Sequence, residues 1–195
     1  MRLFRLALGL PLVAAAALSL AACDDPIGIG QQVIVVDTVT IGVPSLVPDS
    51  VPTALDVISA DQASIGGGRF PERPGQSENW DVTVRLQNGT FSLLPRGAVG
   101  LESLRSAVTE PITGTTFETL DEAPASSRFN TGRGVALSVG SVYVVRSRVY
   151  SPGRGATCWQ FAKVQPVALN AAAGTARLAV ATSAGCQDTR LAPRD

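Results

Sequence analysis

Trp80-Asp-Val-Thr-Val-Arg-Leu-Gln-Asn-Gly-Thr-Phe-Ser-Leu-Leu94 decides the fold class. Trp80, Val82, Val84 and Leu86 alternate with Asp81, Thr83, Arg85 and Gln87. A period of two puts apolar side chains on one face of a strand and polar ones on the other. Asn88-Gly89 follows, and a type I′ turn needs positive φ at both central residues, which Asn and Gly tolerate best. Thr90 to Leu94 then returns as the second strand of a hairpin.

Outward from this hairpin the same signals recur. Val33 to Gly42 (VIVVDTVTIG) is β-branched and strand-like, Pro44, Pro48 and Pro52 punctuate a loop, and Ala54 to Ser59 is a short apolar strand. Residues 61–79 are rich in Gly, Pro and charge and read as a long surface loop. Val135, Leu137 and Val139 alternate, Gly140-Ser141 can turn the chain, and Val142 to Tyr150 alternates again, which predicts a second hairpin. Trp159–Leu169 and Thr175–Ser183 flank Asn170-Ala-Ala-Ala-Gly174 and predict a third. Two helical signals interrupt the strands. Leu101, Leu104 and Val108 have helical spacing. Thr115 followed by Glu118 is a capping-box pattern ended by Pro124, so residues 116–123 are expected as a short helix. The expectation is a mainly β, antiparallel sandwich or barrel of about eight short strands with one or two short helices.

The third hairpin also places two cysteines. With a loop centred on Ala172, directly opposed residues have numbers that sum to 344, and Cys158 and Cys186 do so. Ala162 would face Thr182, Val164 would face Val180 and Pro166 would face Leu178, a largely apolar face. Directly opposed residues lie about 4.5–5.5 Å apart, within disulfide reach. A disulfide Cys158–Cys186 is therefore expected; a redox-active pair is the alternative, but the Cys-x-x-Cys spacing is missing.

The amino end carries the plainest chemistry. Met1-Arg-Leu-Phe-Arg5 is a basic start, and Leu6–Leu18 is an apolar run of 13 residues, too short for a spanning helix of about 20 but suited to a secretory signal peptide. It ends in Leu20-Ala-Ala-Cys23, which resembles the lipobox of bacterial lipoproteins at all four positions. The resemblance implies that the Cys23 thiol accepts diacylglycerol and that cleavage frees its amine for an N-acyl chain such as palmitate. Two or three acyl chains anchor stably where one would not. The resulting organisation is a signal peptide over 1–22, a lipidated tether over 23–32 and one mainly β domain over 33–195. The expected location is exported, on the extracytoplasmic face of the cell membrane or the outer membrane. Asp24 and Asp25 resemble a retention signal of enteric bacteria that does not hold across other bacteria, so the membrane stays open. In an oxidising compartment a disulfide persists.

Charge narrows the partners. The whole chain has 16 basic and 16 acidic residues and no histidine. Loss of Arg2 and Arg5 with the signal leaves 14 basic against 16 acidic, net −2. Residues 24–122 hold 14 acids and five arginines, whereas 123–187 hold seven basic residues and no acid. In one reading the two halves share a domain and their charges pair across it. In the other, Arg146 and Arg148, from one side of a strand, and Arg154 in a following loop form an anion-binding face for an anionic envelope component or an acidic protein partner. Nucleic acid is not expected outside the cytoplasm.

The missing histidine removes Ser-His-Asp and Cys-His catalysis and His-ligated metals. Asp121-Glu122 read as solvated charges, Lys163, the one lysine, as a snorkelling strand residue, and Gly28-x-Gly30 and Gly66-Gly-Gly68 as linkers rather than phosphate loops. No catalytic residue, metal site or cofactor is expected beyond the covalent lipid on Cys23. Two further blocks, Asn79–Arg85 and the span from VGSVYVVRSR (139–148) through residues 158–180 to Gly185-Cys186, resemble uncharacterised envelope lipoproteins of GC-rich diderm bacteria. The Trp-Asp-aliphatic strand is faintly similar to HmuY-like haem-binding lipoproteins, whose axial histidines have no counterpart here. The resemblance implies an all-β lipoprotein and supplies no activity. Three functions follow in order: a lipid-anchored envelope protein with a non-catalytic binding or structural role, a carrier of a small apolar or anionic ligand inside the β fold, and a hydrolase using two carboxylates in a cleft.

Overall fold

The computed structural model describes residues 36–58, 67–101, 105–152, 155–183 and 185–192, all within one compact unit. Among the described residues eleven strands form two antiparallel sheets. They are β1 (Val36–Gly42), β2 (Ala54–Leu55), β3 (Gly68–Arg69), β4 (Val82–Gln87), β5 (Thr90–Pro95), β6 (Ala107–Thr109), β7 (Phe129–Asn130), β8 (Val135–Ala136), β9 (Tyr143–Arg146), β10 (Phe161–Asn170) and β11 (Thr175–Thr182). The six-stranded sheet runs β1-β11-β10-β9-β6-β7 and the five-stranded sheet β3-β2-β4-β5-β8. The result is a sandwich and not a closed barrel.

The hairpin read first is β4–β5, with Val84 opposite Leu93, Asn88 at φ 50° and Gly89 at φ 78°. Its inward side chains Val82, Val84 and Leu93 meet Ile41, Val145, Val164, Leu178 and Val180 from the other sheet, each at most 1% exposed. Burial of this kind contributes about 25 cal/mol per Å² of apolar surface and holds the two layers together. These side chains, with others from both sheets, form the main apolar core.

The third hairpin is β10–β11, and its register agrees with expectation from Ala162 opposite Thr182 to Pro166 opposite Leu178. Nearer the turn the register shifts by one, so that Ala168 faces Arg177, with an irregularity between Pro166 and Ala168. The turn is centred between Ala172 and Ala173, and the one-residue bulge at 167 returns the outer half of the ladder to the register that aligns the cysteines. Cys158 and Cys186 are joined, with Cα atoms 5.3 Å apart.

Three expectations are corrected. The segment 135–150 is no hairpin: β8 pairs with β5 in one sheet and β9 with β10 and β6 in the other, so the chain crosses the sandwich at Gly140, whose φ is 80°. Tyr143 fixes the crossing. Its buried hydroxyl donates to Ala136 O and accepts from Ser138 N, both at 2.9 Å. Val108 belongs to β6, because Val108 pairs with Val145 and Thr109 Oγ1 accepts from Val144 N at 3.0 Å, so sheet pairing overrides the helical spacing; Leu104 lies outside the described residues. Residues 116–123 form a single turn closed by Leu120 N to Thr116 O at 3.0 Å. There Thr119 Oγ1, not Glu118, accepts from Thr116 N at 2.9 Å. One bond per fixed turn is too little to propagate a helix. The described helical elements are two 3₁₀ turns, Arg96–Val99 and Ser126–Arg128.

The segment 112–128 serves a different purpose. Phe117, Leu120 and Ala123, with Leu191, cover the outward residues Val144, Phe161 and Ala181 of the six-stranded sheet and make a second, smaller core. Among the described residues no helix is long and apolar enough to cross a membrane.

Candidate functional site

The six-stranded sheet is covered only in part, and a pocket of about 500 Å³ remains on its outer face. That volume is in the range of small-molecule sites. Its apolar walls are Phe161 at the start of β10, Trp159 just before it and Phe129 of β7. Phe129 and Phe161 have ring centroids 5.8 Å apart at 48°. Polar groups come from Ser126 of the second 3₁₀ turn, from Thr189 and Glu122, and from Arg146 at the end of β9. Arg146 faces Phe161 directly across the ladder, and its guanidinium lies 5.8 Å from the Phe129 ring centroid.

Arg146 is distinguished by what it lacks. Arg69, Arg96, Arg148 and Arg190 are the other described arginines that are buried or half-buried, and each is ion-paired with a carboxylate. Among the described residues no carboxylate pairs with Arg146; its Nη2 donates to the neutral carbonyl of Arg105 at 3.4 Å. Burial pulls its pKa below the usual arginine value, with nothing offsetting the desolvation. A half-desolvated guanidinium with no described carboxylate partner, set beside two tilted aromatic rings, has the chemistry to accept a planar or tetrahedral anion.

Arg148 is not beside it. The ladder is broken at Ser147, whose N–H donates to Gln160 O at 2.8 Å while its Oγ accepts from Gln160 N at 2.9 Å. The chain then turns inward, and Arg148 N donates to Asp81 Oδ1 at 2.6 Å. The Arg148 side chain is 7% exposed and bridges the sheets. Its Nη1 reaches Asp56 Oδ1 at 2.8 Å and Asp81 Oδ1 at 3.2 Å. Period-two alternation had placed Arg146 and Arg148 on one face; the break at Ser147 sends one outward and the other into the interior. This guanidinium is already satisfied by two acids and is closed to an outside anion. Arg154 and Cys23 lie outside the described residues.

The Asp56–Arg148–Asp81 cluster joins the acidic and basic halves of the chain, as the shared-domain reading of the charges expects. Asp81 is fully buried and also accepts from Val57 N at 2.8 Å. Burial pushes its pKa from 3.8 up to about 7, against the pull of Arg148, while neighbouring Asp56 adds to the rise. Burial alone would lower Arg148, but Asp81 and Asp56 outweigh it and hold its pKa above the usual value. A carboxylate-dependent hydrolase would need two acids facing a cleft, whereas Asp56 and Asp81 are 3% and 0% exposed and line neither described pocket. They act as a bridge between sheets.

The remaining sequence candidates fall elsewhere. Asp121 and Glu122 are exposed. Lys163 does not reach solvent: it is 5% exposed, donates to Leu120 O at 3.1 Å and lies 5.1 Å from the Phe117 ring centroid, with burial lowering its pKa. It pins the covering segment to the sheet. Among the described residues no group of three His, Cys, Asp or Glu could hold a metal. The pocket itself escaped the sequence, because Phe129, Arg146 and Phe161 sit on three strands whose order in the sheet no local pattern encodes. Compared with protein-family models, curated proteins and solved structures, the chain matches none.

Proposed function

We propose that this chain is a lipid-anchored cell-envelope protein that binds, without catalysis, a small ligand carrying an anionic group on an apolar body. The single observation that carries the binding half of this reading is Arg146, a half-buried cation with no described carboxylate partner in an aromatic-walled pocket. The lipobox supports the anchor, and the Cys158–Cys186 disulfide fits an exported chain. The pocket on the outer face of the sheet favours a ligand held there over one held inside the β fold.

The test is a panel of aromatic and aliphatic carboxylates and phosphates, read by thermal shift and calorimetry on the full chain. Saturable binding by members of the panel is expected, weakened at least about tenfold by Arg146→Gln. Arg85→Gln, an exposed position on the other sheet, should leave it unchanged. No binding by any member would leave a purely structural role, and equal binding by Arg146→Gln would overturn the assignment of the site to Arg146.

A further inference from the structure

We propose that the pocket beside Arg146 takes the head group of an aminophospholipid from the leaflet that holds the protein's own anchor; this deepens, and rests on, the envelope-binding reading above. Two independent observations carry it.

The first is direction. One row across the six-stranded sheet reads Val36, Ala181, Lys163 and Val144, and the pocket residues Phe161 and Arg146 lie two positions along β10 and β9 on the side away from the hairpin turn. The chain therefore enters β1 at the end of the sheet that bears the pocket. Three strand spacings of about 4.8 Å put the start of β1 roughly 14 Å from β9. Whatever their conformation, the 13 residues linking Cys23 to Val36 span at most about 45 Å. A tether of that length lets this end of the sandwich reach a bilayer that holds an acylated Cys23.

The second is the charge pattern of the pocket. Arg146 offers a cation and Glu122, on the same pocket, a carboxylate. Among the described residues the two are not ion-paired, and the Glu122 side chain accepts only the Thr189 hydroxyl at 3.2 Å. An ethanolamine phosphate presents one anion and one ammonium, the charge complement of the two side chains. The rings of Phe129, Phe161 and Trp159 then meet the apolar glycerol-ester end. A purely anionic lipid would satisfy Arg146 and leave its head beside the Glu122 carboxylate.

The experiment uses the full chain in detergent, titrated with dihexanoyl phosphatidylethanolamine, dihexanoyl phosphatidylglycerol and inorganic phosphate, with calorimetry as the readout. Saturable binding of the ethanolamine lipid is expected, at least about tenfold tighter than the glycerol lipid, with phosphate weaker still. Arg146→Gln should weaken both lipids about tenfold or more, and Glu122→Gln should erase the preference between them. Equal binding of the two lipids by the unaltered chain overturns the aminophospholipid assignment. Binding of phosphate as tight as of either lipid overturns the lipid and leaves a small-anion site, so the envelope-binding reading survives. No response to either lipid overturns the aminophospholipid assignment, and if the carboxylate and phosphate panel is silent as well the envelope-binding reading falls with it.

Discussion

Removing Arg148 should cost this protein a large share of its stability. Its guanidinium is 7% exposed and lies 2.8 Å from Asp56 and 3.2 Å from Asp81. Arg148→Met keeps much of the side-chain length and removes the charge. Asp56 would retain Arg69 at 3.2 Å, but Asp81 would keep only backbone donors for a fully buried carboxylate. Breaking a buried pair from one side costs about 3–5 kcal/mol, against a total of about 5–15 for a typical domain. With a urea m-value of about 2 kcal/mol/M the midpoint would fall by roughly 1.5–2.5 M. The loss should shrink on acidification, since the orphaned carboxyls can take up protons and shed their buried charge. The companion is Asp81→Asn/Arg148→Met, which removes the unpaired charge and should recover much of the loss. Urea unfolding at pH 5 and pH 8 measures both. A midpoint change under about 0.5 M for Arg148→Met at pH 8, or a companion no better than the single variant, would refute the argument that this cluster ties the sheets together.

Other outcomes follow from single features. Between pH 3.8 and about 7 the folded chain keeps a proton on Asp81 that the unfolded chain has released, so this group makes stability fall as pH rises through that window. In Asp81→Asn the corresponding part of the pH slope should vanish, even though the amide, unable to accept at both Val57 N and Arg148 N, lowers stability at every pH; a parallel pH curve for the variant would contradict this. Reducing Cys158–Cys186, which closes a span of 28 residues, should lower stability by roughly 3–4 kcal/mol, read from urea midpoints with and without reductant. Gly97→Ala would drive a methyl group into the carbonyl oxygen of Thr131, a backbone atom that cannot swing away, and should cost about 1–3 kcal/mol of unfolding free energy.

What the sequence revealed was governed by distance along the chain. The β4–β5 hairpin was legible because alternation and Asn88-Gly89 lie within a few residues of one another. The cysteine pairing was legible through the register of one hairpin, and it survived a bulge near Val167 because the turn was displaced by a compensating residue. Val135–Tyr150 read as a hairpin because alternation reports a strand and not its partner; β8 and β9 satisfy their hydrogen bonds in different sheets. The capping pattern at Thr115–Glu118 was real only as a turn, since the apolar residues Phe117 and Leu120 gain more by covering the sheet than a helix would gain by lengthening. Of the arginine face, Arg146 is found on the outer surface. Arg148 was misplaced because a serine side chain replaced a backbone acceptor at Ser147 and reset the alternation. The pocket combines residues far apart in sequence, and only the β7-β6-β9-β10 order brings Phe129, Arg146 and Phe161 together.

The membrane-bound binding role stands or falls most directly with the intact mass of the protein extracted from its own cells. The account predicts a chain of 173 residues starting at Cys23, heavier than its peptide mass by a diacylglycerol and an added acyl chain. A mass beginning at Met1, or one beginning at residue 23 with no lipid attached, would contradict it.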